Sequence, residues 1–501
     1  MKKTIYIFNL VAALAITAFS ASSCLDKYPA DAIPEEEAMS TFDDAEQTLT
    51  GIYAAFKSIY TGNLILAPDI QADLVYAVDG NTNTYGDIWQ WKLRSTTPEV
   101  ESVYASLYAV IGRCNFYLDR VDAVRATLID DTEIDLLDGF TGEVHCARAL
   151  AYSELAKFFC KAYEPATAAN ELGVVLRTTY FGEERAIRAS LEDTYRFILS
   201  DLEKAESLLD EDDDAYNNVY LSKAAAYALH ARVALYMQDW DAAIKYAGEL
   251  IGRDDVFELA DATKYFTSEM TYYDYLWNYD SSFEIIWKIG YTVTSYGSAL
   301  GNVFLHFNTD YTYYYPDFVP ASSVLASYAT SDLRYDAIFA NLQTGYSHGL
   351  TWPLLVKYYG NRNFINNHIF HVNMPKVFRL SEQYLIRAEA YCRKGNYSAA
   401  SADITALRKA RYSSGGAASL NADNWLGEIS AERVRELYME GFRLQDLKRW
   451  HLGFERTPQA NSLAEGSSLK VEADNPMFVW PIPKHELEAP GSEIQPNESN
   501  R

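Results

Sequence analysis

Apolar residues recur every three or four positions through the first half of the chain. In GEVHCARALAYSELAKFF, 142–159, the residues Val144, Ala147, Ala151, Leu155 and Phe158 fall on one helical face. The same period predicts helices over 43–60, 100–121 and 190–209. The last opens on a serine followed three residues later by an acid, Ser190 and Asp193, the pattern of a capping box. Two later segments repeat a shorter plan. LHARVALYMQDWDAAIKYAGELI (229–251) and IRAEAYCRKGNYSAASADITALR (386–408) each read helix, polar turn, helix, with an aromatic opening the second helix and alanines along both. Such a pair cannot bury its apolar face alone and stacks on neighbours. The two copies must therefore meet in space. The pattern predicts a mainly α fold, a tetratricopeptide-like helical-repeat scaffold.

From about 260 to 378 the helical period fades. Aromatic residues, Asn, Thr and Gly crowd in, as in MTYYDYLWNYD, YTVTSYGS and LTWPLLVKYYGNRNF. This predicts a loop-rich, aromatic lobe with short strands, and loops over a rigid scaffold are where ligands bind. Two stretches supply candidates. In DYTYYYPDF, 310–318, an extended backbone would turn Tyr311, Tyr313 and Tyr315 to one face and Tyr314 to the other. In DGNTNTYGDIWQW, 79–91, Trp89 and Trp91 stand two apart, so on a strand they would form a platform beside the amide of Asn81. We expect Trp89, Trp91, Asn81, Tyr311, Tyr313 and Tyr315 to share one ligand face, with Tyr272, Tyr273 and Trp277 next in order.

Composition narrows the ligand. Formal net charge is −26, whereas nucleic-acid binding draws on a basic surface, so no nucleic acid is expected. A neutral ligand meets no such barrier. The 39 Tyr and 9 Trp offer flat apolar bodies with a polar tip. Sugar rings present the complement, flat C–H patches edged with hydroxyls. Five cysteines without CxxC spacing point to buried free thiols rather than a zinc cluster or a disulfide framework.

The start of the chain reads as an address. Lys2 and Lys3 precede an apolar run to Ala21, and small residues lead into Cys24 as ASSC. Residues 1–23 are expected to be a signal peptide and Cys24 a lipidated first residue, with the membrane met by that lipid anchor only. Three sharper motifs weigh less. Gly345-Tyr346-Ser347-His348-Gly349 fits G-x-S-x-G but lacks the strand and helix that expose a nucleophile. The acids 211–214 lack the glycine and glutamate of a calcium loop. His368 and His371 would face opposite ways on an extended segment. No catalytic residue, metal or cofactor is expected.

ERVRELYMEGFRLQDLKRW, 432–450, resembles the signature helix of the SusD/RagB family of outer-membrane nutrient-binding lipoproteins, at Glu432, Arg433, Glu436, Leu437, Glu440, Gly441, Arg443, Asp446, Leu447, Arg449 and Trp450. Its acids and bases stand three or four apart, as in Glu440–Arg443 and Asp446–Arg449, so on its own it reads as a solvated ion-pair face. FRLSEQYLIRAEAYCRKGNYSAA (378–400), VWPIPKHELEAPGSEIQPN (479–497) and ASLYAVIGRCNFYLDRV (105–121) are similar to further family segments. The resemblance implies a helical scaffold bearing a variable ligand face. It implies a surface-exposed lipoprotein that binds oligosaccharides and passes them to a SusC-like TonB-dependent transporter, without catalysis. It suggests a helical region over 24–259 and a C-terminal region over 260–501, loop-rich to 378, helical over 379–452, with a closing tail over 453–501. Rivals are the same architecture capturing oligopeptides, a helical glycoside hydrolase, and a helical-repeat adaptor.

Overall fold

The computed structural model describes residues 38–180, 182, 185–307, 312–346, 349–456 and 470–501. The expected signal peptide and Cys24 lie outside them. Among the described residues, the helices of seven or more residues are α1 (Phe42–Ile59), α2 (Pro98–Leu118), α3 (Asp131–Phe159), α4 (Leu191–Leu208), α5 (Lys223–Met237), α6 (Trp240–Ile251), α7 (Tyr272–Asn278), α8 (Leu380–Arg393), α9 (Tyr397–Lys409), α10 (Trp425–Glu436) and α11 (Arg443–Arg449). Strands are short and pair in six two-stranded sheets. These join β1 (Val75–Ala77) to β7 (Phe318–Pro320), β2 (Leu172–Val175) to β3 (Arg188–Ser190), and β4 (Tyr265–Thr267) to β5 (Met270–Thr271). They also join β6 (Ile285–Lys288) to β10 (Lys376–Arg379), β8 (Phe339–Gln343) to β9 (Thr351–Leu355), and β11 (Phe454–Glu455) to β12 (Lys470–Val471).

Local chemistry starts α1 and α4 where the pattern predicts, whereas α3 begins at Asp131, capped by Asp130, eleven residues before the predicted start. Thr41 and Asp44 cap α1 reciprocally, and Ala45, Leu49, Ile52, Phe56 and Ile59 form its buried stripe. Ser190 accepts the Asp193 N–H at 2.9 Å and opens α4. The repeated hairpins are alike at their turns. Gln238 (φ +62°) and Gly395 (φ +76°) reverse the chain in the left-handed region. Asp239 and Asn396 then cap the second helix by accepting the N–H of Ala242 and Ala399. Trp240 and Tyr397 follow. The copies do converge: Ala243 and Ala247 of α6 pack with Ile386 and Ala390 of α8. Alanines let these helices approach closely. The turns also touch, through an ion pair between Lys394 and Asp241.

The signature stretch departs from the reading as one solvated helix. It is two helices, α10 and α11, separated by a turn in which Met439 and Gly441 take φ of +59° and +87°. A Cβ on Gly441 would also lie 3.1 Å from the Ile65 carbonyl oxygen, so the turn favours glycine twice over. Its charges are buried, and most of their partners lie far off in sequence. Arg334, Arg379 and Arg411 all donate to Glu436. Glu440 pairs with Arg379 and Lys357 rather than with Arg443, which forks onto Asp73. Asp446 does meet Arg449, at 2.9 Å, and also Arg433. Buried charges persist only when paired and hydrogen-bonded, so this stretch acts as a hub that holds Asp73 just before β1, Arg379 of β10, Glu389 of α8 and Arg408 of α9.

One core crosses position 260. A contiguous buried cluster runs from Met39 to Ile494 and includes Trp89, Trp287 and Trp480. The tail straps onto α3: Trp480 packs against Phe158 at 4.6 Å and donates its indole N–H to Gln71.

Candidate functional site

Pairing of β1 with β7 brings the two candidate loops together. The register sets Val75 opposite Pro320 and Ala77 opposite Phe318. The chain leaves β1 into 78–86 and enters β7 from 312–317, so both loops emerge at one end of this short sheet. Asp317 fastens them. Its carboxylate accepts the Thr82 N–H at 2.6 Å and the Thr82 hydroxyl at 2.8 Å, and its carbonyl accepts the Val78 N–H at 2.8 Å. Thr82, Asn83 and Thr84 are exposed at this edge.

The tyrosines line the other side. Tyr311 lies outside the described residues; Tyr313, Tyr314 and Tyr315 are half-buried. Tyr314 is tied by its backbone to Gln343 and Gly345, and its ring packs on Phe307 at 4.7 Å. Burial and the neighbouring Tyr359 hydroxyl raise its phenol well above the usual range. Tyr315 points elsewhere, edge-on to Tyr346 at 5.2 Å. Tyr314 and Tyr315 thus turn to different neighbours, with Tyr314 packed on Phe307. Gly345 makes the place for Tyr315, because a Cβ there would lie 2.0 Å from its ring carbon Cζ. Tyr346 is half-buried, and burial pushes its phenol up to about 12. Tyr359, beyond Tyr314, is exposed.

The tryptophans are a correction. Residues 86–89 form a helical turn rather than a strand, and Asn83, Tyr85 and Trp91 take positive φ. Trp89 is 0 % exposed: its indole donates to the Val75 carbonyl, and the Arg456 guanidinium lies 4.5 Å from its ring. Trp91 donates to the Gln71 carbonyl at 2.6 Å and packs on Phe454 and Phe478. Neither forms a platform. Asn81 is half-buried and shapes its own turn, donating to the Val78 carbonyl and accepting the Asn83 N–H. Of the next candidates, Tyr273 and Trp277 are interior, Tyr273 beneath Arg411 and Trp277 beneath Lys357 and Lys376. Tyr272 remains half-buried.

The sequence reading overlooked Thr82, Asp317, Tyr346 and Tyr359. Tyr346 sits inside the G-x-S-x-G match. Ser347 and His348 lie outside the described residues, but the loop joins β8 to β9 in a hairpin, so no helix follows to form a nucleophile elbow.

Other chemistry finds little footing. Among the described residues no three His, Cys, Asp or Glu side chains stand close enough to hold a metal. Asp214, in the acidic loop, accepts the Ala224 N–H and pairs with Arg253. Cys114, Cys146, Cys160 and Cys392 are buried free thiols. Burial raises three carboxyl groups: Asp69 to about 7, Glu143 to about 8, and Asp403, which pairs with Arg387. Asp69 is held inside the core by the N–H of Gly441 and Arg443, and Glu143 accepts the Tyr53 hydroxyl. They are not a carboxyl pair flanking a cleft, as glycoside hydrolysis needs. An interior void of about 40 Å³ beside Glu154, Lys157 and Trp277 has room for a few waters, not a sugar.

Comparison with known proteins gives one family. A profile described as "SusD family" matches residues 263–491, and one described as "Starch-binding associating with outer membrane" matches residues 25–235. SusD-like protein P25 of Formosa agariphila is 25% identical over 299 residues, 57% of this chain; the chain spans about half the length of that relative. Among solved structures, a SusD superfamily protein from Bacteroides thetaiotaomicron superimposes with a TM-score of 0.77 at 22% identity, over 91% of this chain and 99% of that one. A SusD-like carbohydrate binding protein from Bacteroides vulgatus gives 0.73 at 18%, over 91% and 98%. Surface glycan-binding protein A from Bacteroides fluxus gives 0.67 at 20%, over 92% and 99%. Among the described residues no helix is long and apolar enough to cross a membrane.

Proposed function

The chain belongs to the SusD/RagB family, and from that premise we propose that it is a surface-exposed outer-membrane lipoprotein that binds an oligosaccharide and delivers it to a SusC-like TonB-dependent transporter. It performs no chemistry on the sugar. In this reading Cys24 carries the lipid, the region 24–259 is scaffold, and the region 260–501 supplies most of the ligand face. One observation carries the ligand assignment: half-buried Tyr313, Tyr315 and Tyr346 stand on a rigid β-pairing, beside a threonine- and asparagine-rich edge held in place by Asp317. A sugar's C–H face suits the rings, and its hydroxyls suit Thr82, Asn83 and Thr84. The carbohydrate-binding and glycan-binding descriptions of two structural relatives support the same ligand class.

The test uses protein lacking residues 1–24 on a glycan array, then calorimetry on the best hit. Stacking contributes on the order of 1 kcal/mol per ring, so Tyr313→Ala/Tyr315→Ala is expected to weaken binding about thirtyfold while melting cooperatively. Full affinity in that variant places the site elsewhere. Peptide binding without glycan binding overturns the ligand class, and release of shortened sugars makes the protein a hydrolase. Native-membrane pull-downs are expected to bring a much larger TonB-dependent protein, and repeated recovery of the lipoprotein alone removes the delivery step.

A further inference from the structure

Helix α7 divides its aromatic residues unusually. Tyr273, Leu276 and Trp277 face the core. Tyr272 and Tyr275, with Tyr279 just past the helix end, face outward, where polar residues normally stand. A reciprocal cap between Thr271 and Asp274 fixes the start of the helix and hence which residues face out. The β4–β5 hairpin lies over the same side. Tyr265 is 66 % exposed and Phe266 is 48 % exposed.

These rings form one contiguous set of contacts. Phe266 lies 5.8 Å from Tyr272 and 4.2 Å from Tyr275, and Tyr275 stacks on Tyr279 at 4.9 Å. Tyr275 and Tyr279 are four apart, one helical turn, so they share a face. Among the described residues, no protein group hydrogen-bonds the hydroxyls of Tyr265, Tyr272, Tyr275 or Tyr279. The nearby charges are largely neutralised: Lys264 pairs with Asp261 and Glu258, and Asp274 is held in the cap. Glu269, at the hairpin turn, remains. An exposed apolar patch of this kind marks an interaction site.

We propose that this ladder is a second carbohydrate contact, one that grips a further stretch of a neutral polysaccharide. The inference rests on the carbohydrate reading above. Three features favour a glycan over a protein. The rings touch in succession, Phe266 to Tyr275 to Tyr279, so one sugar chain can meet several of them. Their free hydroxyls can exchange hydrogen bonds with sugar hydroxyls. The near-absence of unpaired charge favours an uncharged ligand, which a chain of net charge −26 does not repel.

Native gels containing soluble starch, laminarin or galactomannan test this with protein lacking residues 1–24. In a gel that retards the wild type, Phe266→Ala/Tyr275→Ala is expected to weaken binding about thirtyfold. Calorimetry with the matching tetrasaccharide, held at the Tyr313–Tyr315 face, is expected to match wild type. If that double variant melts early, Phe266→Ser at the exposed hairpin repeats the test. Unchanged retardation overturns the ladder and leaves the function standing. A wild type retarded by none of the three, and silent on the array, overturns the function and the ladder together. A wild-type dimer in sedimentation that the double variant abolishes, with polysaccharide binding intact, makes a second copy the occupant and overturns the proposal.

Discussion

Replacing Glu432 by glutamine should cost about 3 kcal/mol at neutral pH, and the loss should fade in acid. Glu432 is fully buried, and burial alone would raise its pKa. Three guanidiniums overrule that: Arg334 at 2.8 Å, Arg435 at 2.6 Å and Arg408 at 2.6 Å hold it at about 2, against an ordinary 4.5. A depressed carboxylate adds stability that is fully present above its unfolded value and is lost as pH falls through the folded one. At about 1.4 kcal/mol per pH unit, the drop from 4.5 to about 2 is worth about 3 kcal/mol. A second route agrees: removing one partner of a buried ion network costs roughly 3–5 kcal/mol. Urea unfolding at pH 7 and pH 3 measures both aspects. The difference between wild type and Glu432→Gln should be about 3 kcal/mol at pH 7 and about half that at pH 3. A difference below about 1 kcal/mol at pH 7 would refute the charge argument. So would one that stays constant with pH, because it would then reflect packing.

Three further outcomes are expected. Gly345→Ala should push Tyr315 out of place and lower glycan affinity, with a melting curve close to wild type; unchanged affinity in calorimetry would show that Tyr315 does not touch the sugar. Trp89→Ala should lose roughly 3–5 kcal/mol in urea unfolding, because the ring is core; full stability with lost binding would return it to the ligand face. Palmitate labelling should mark wild type and not Cys24→Ala, and equal labelling of the two would sink the lipid anchor.

The hairpin turns were legible because their chemistry is local. QDWDAA and GNYSAA each carry a residue that turns the chain, an Asx cap and an aromatic within three positions. The aromatic middle was legible as a lobe, whereas its pattern leaves open which of its tyrosines anchors the segment. Trp89 and Trp91 were not, because their platform assumed an extended strand. Asn83, Tyr85 and Trp91 instead enter the left-handed region, which non-glycine residues seldom adopt and rarely announce. The charged stretch misled for a different reason. Arg443 meets Asp73 across 370 residues and Arg334 meets Glu436 across 102, while spacing within a helix reports only on neighbours three or four apart. Gly441 was the one local hint that the helix breaks there.

The bond between Thr82 and Asp317 spans 235 residues. Closing a loop of that length carries an entropic cost that must be met before the contact returns anything, and long-range strand pairing is slow for the same reason. The helical hairpins form from neighbours in sequence and need not wait. The ligand edge thus waits for Asp317, which the chain reaches after α1–α7 and before α8–α11. A chain stopped short of residue 312 would hold many of its helices and would lack Asp317, the β7 half of the β1–β7 pair, and Tyr313, Tyr315 and Tyr346. During biosynthesis, sugar binding therefore reports completion of folding, whereas helicity reports only that folding has begun.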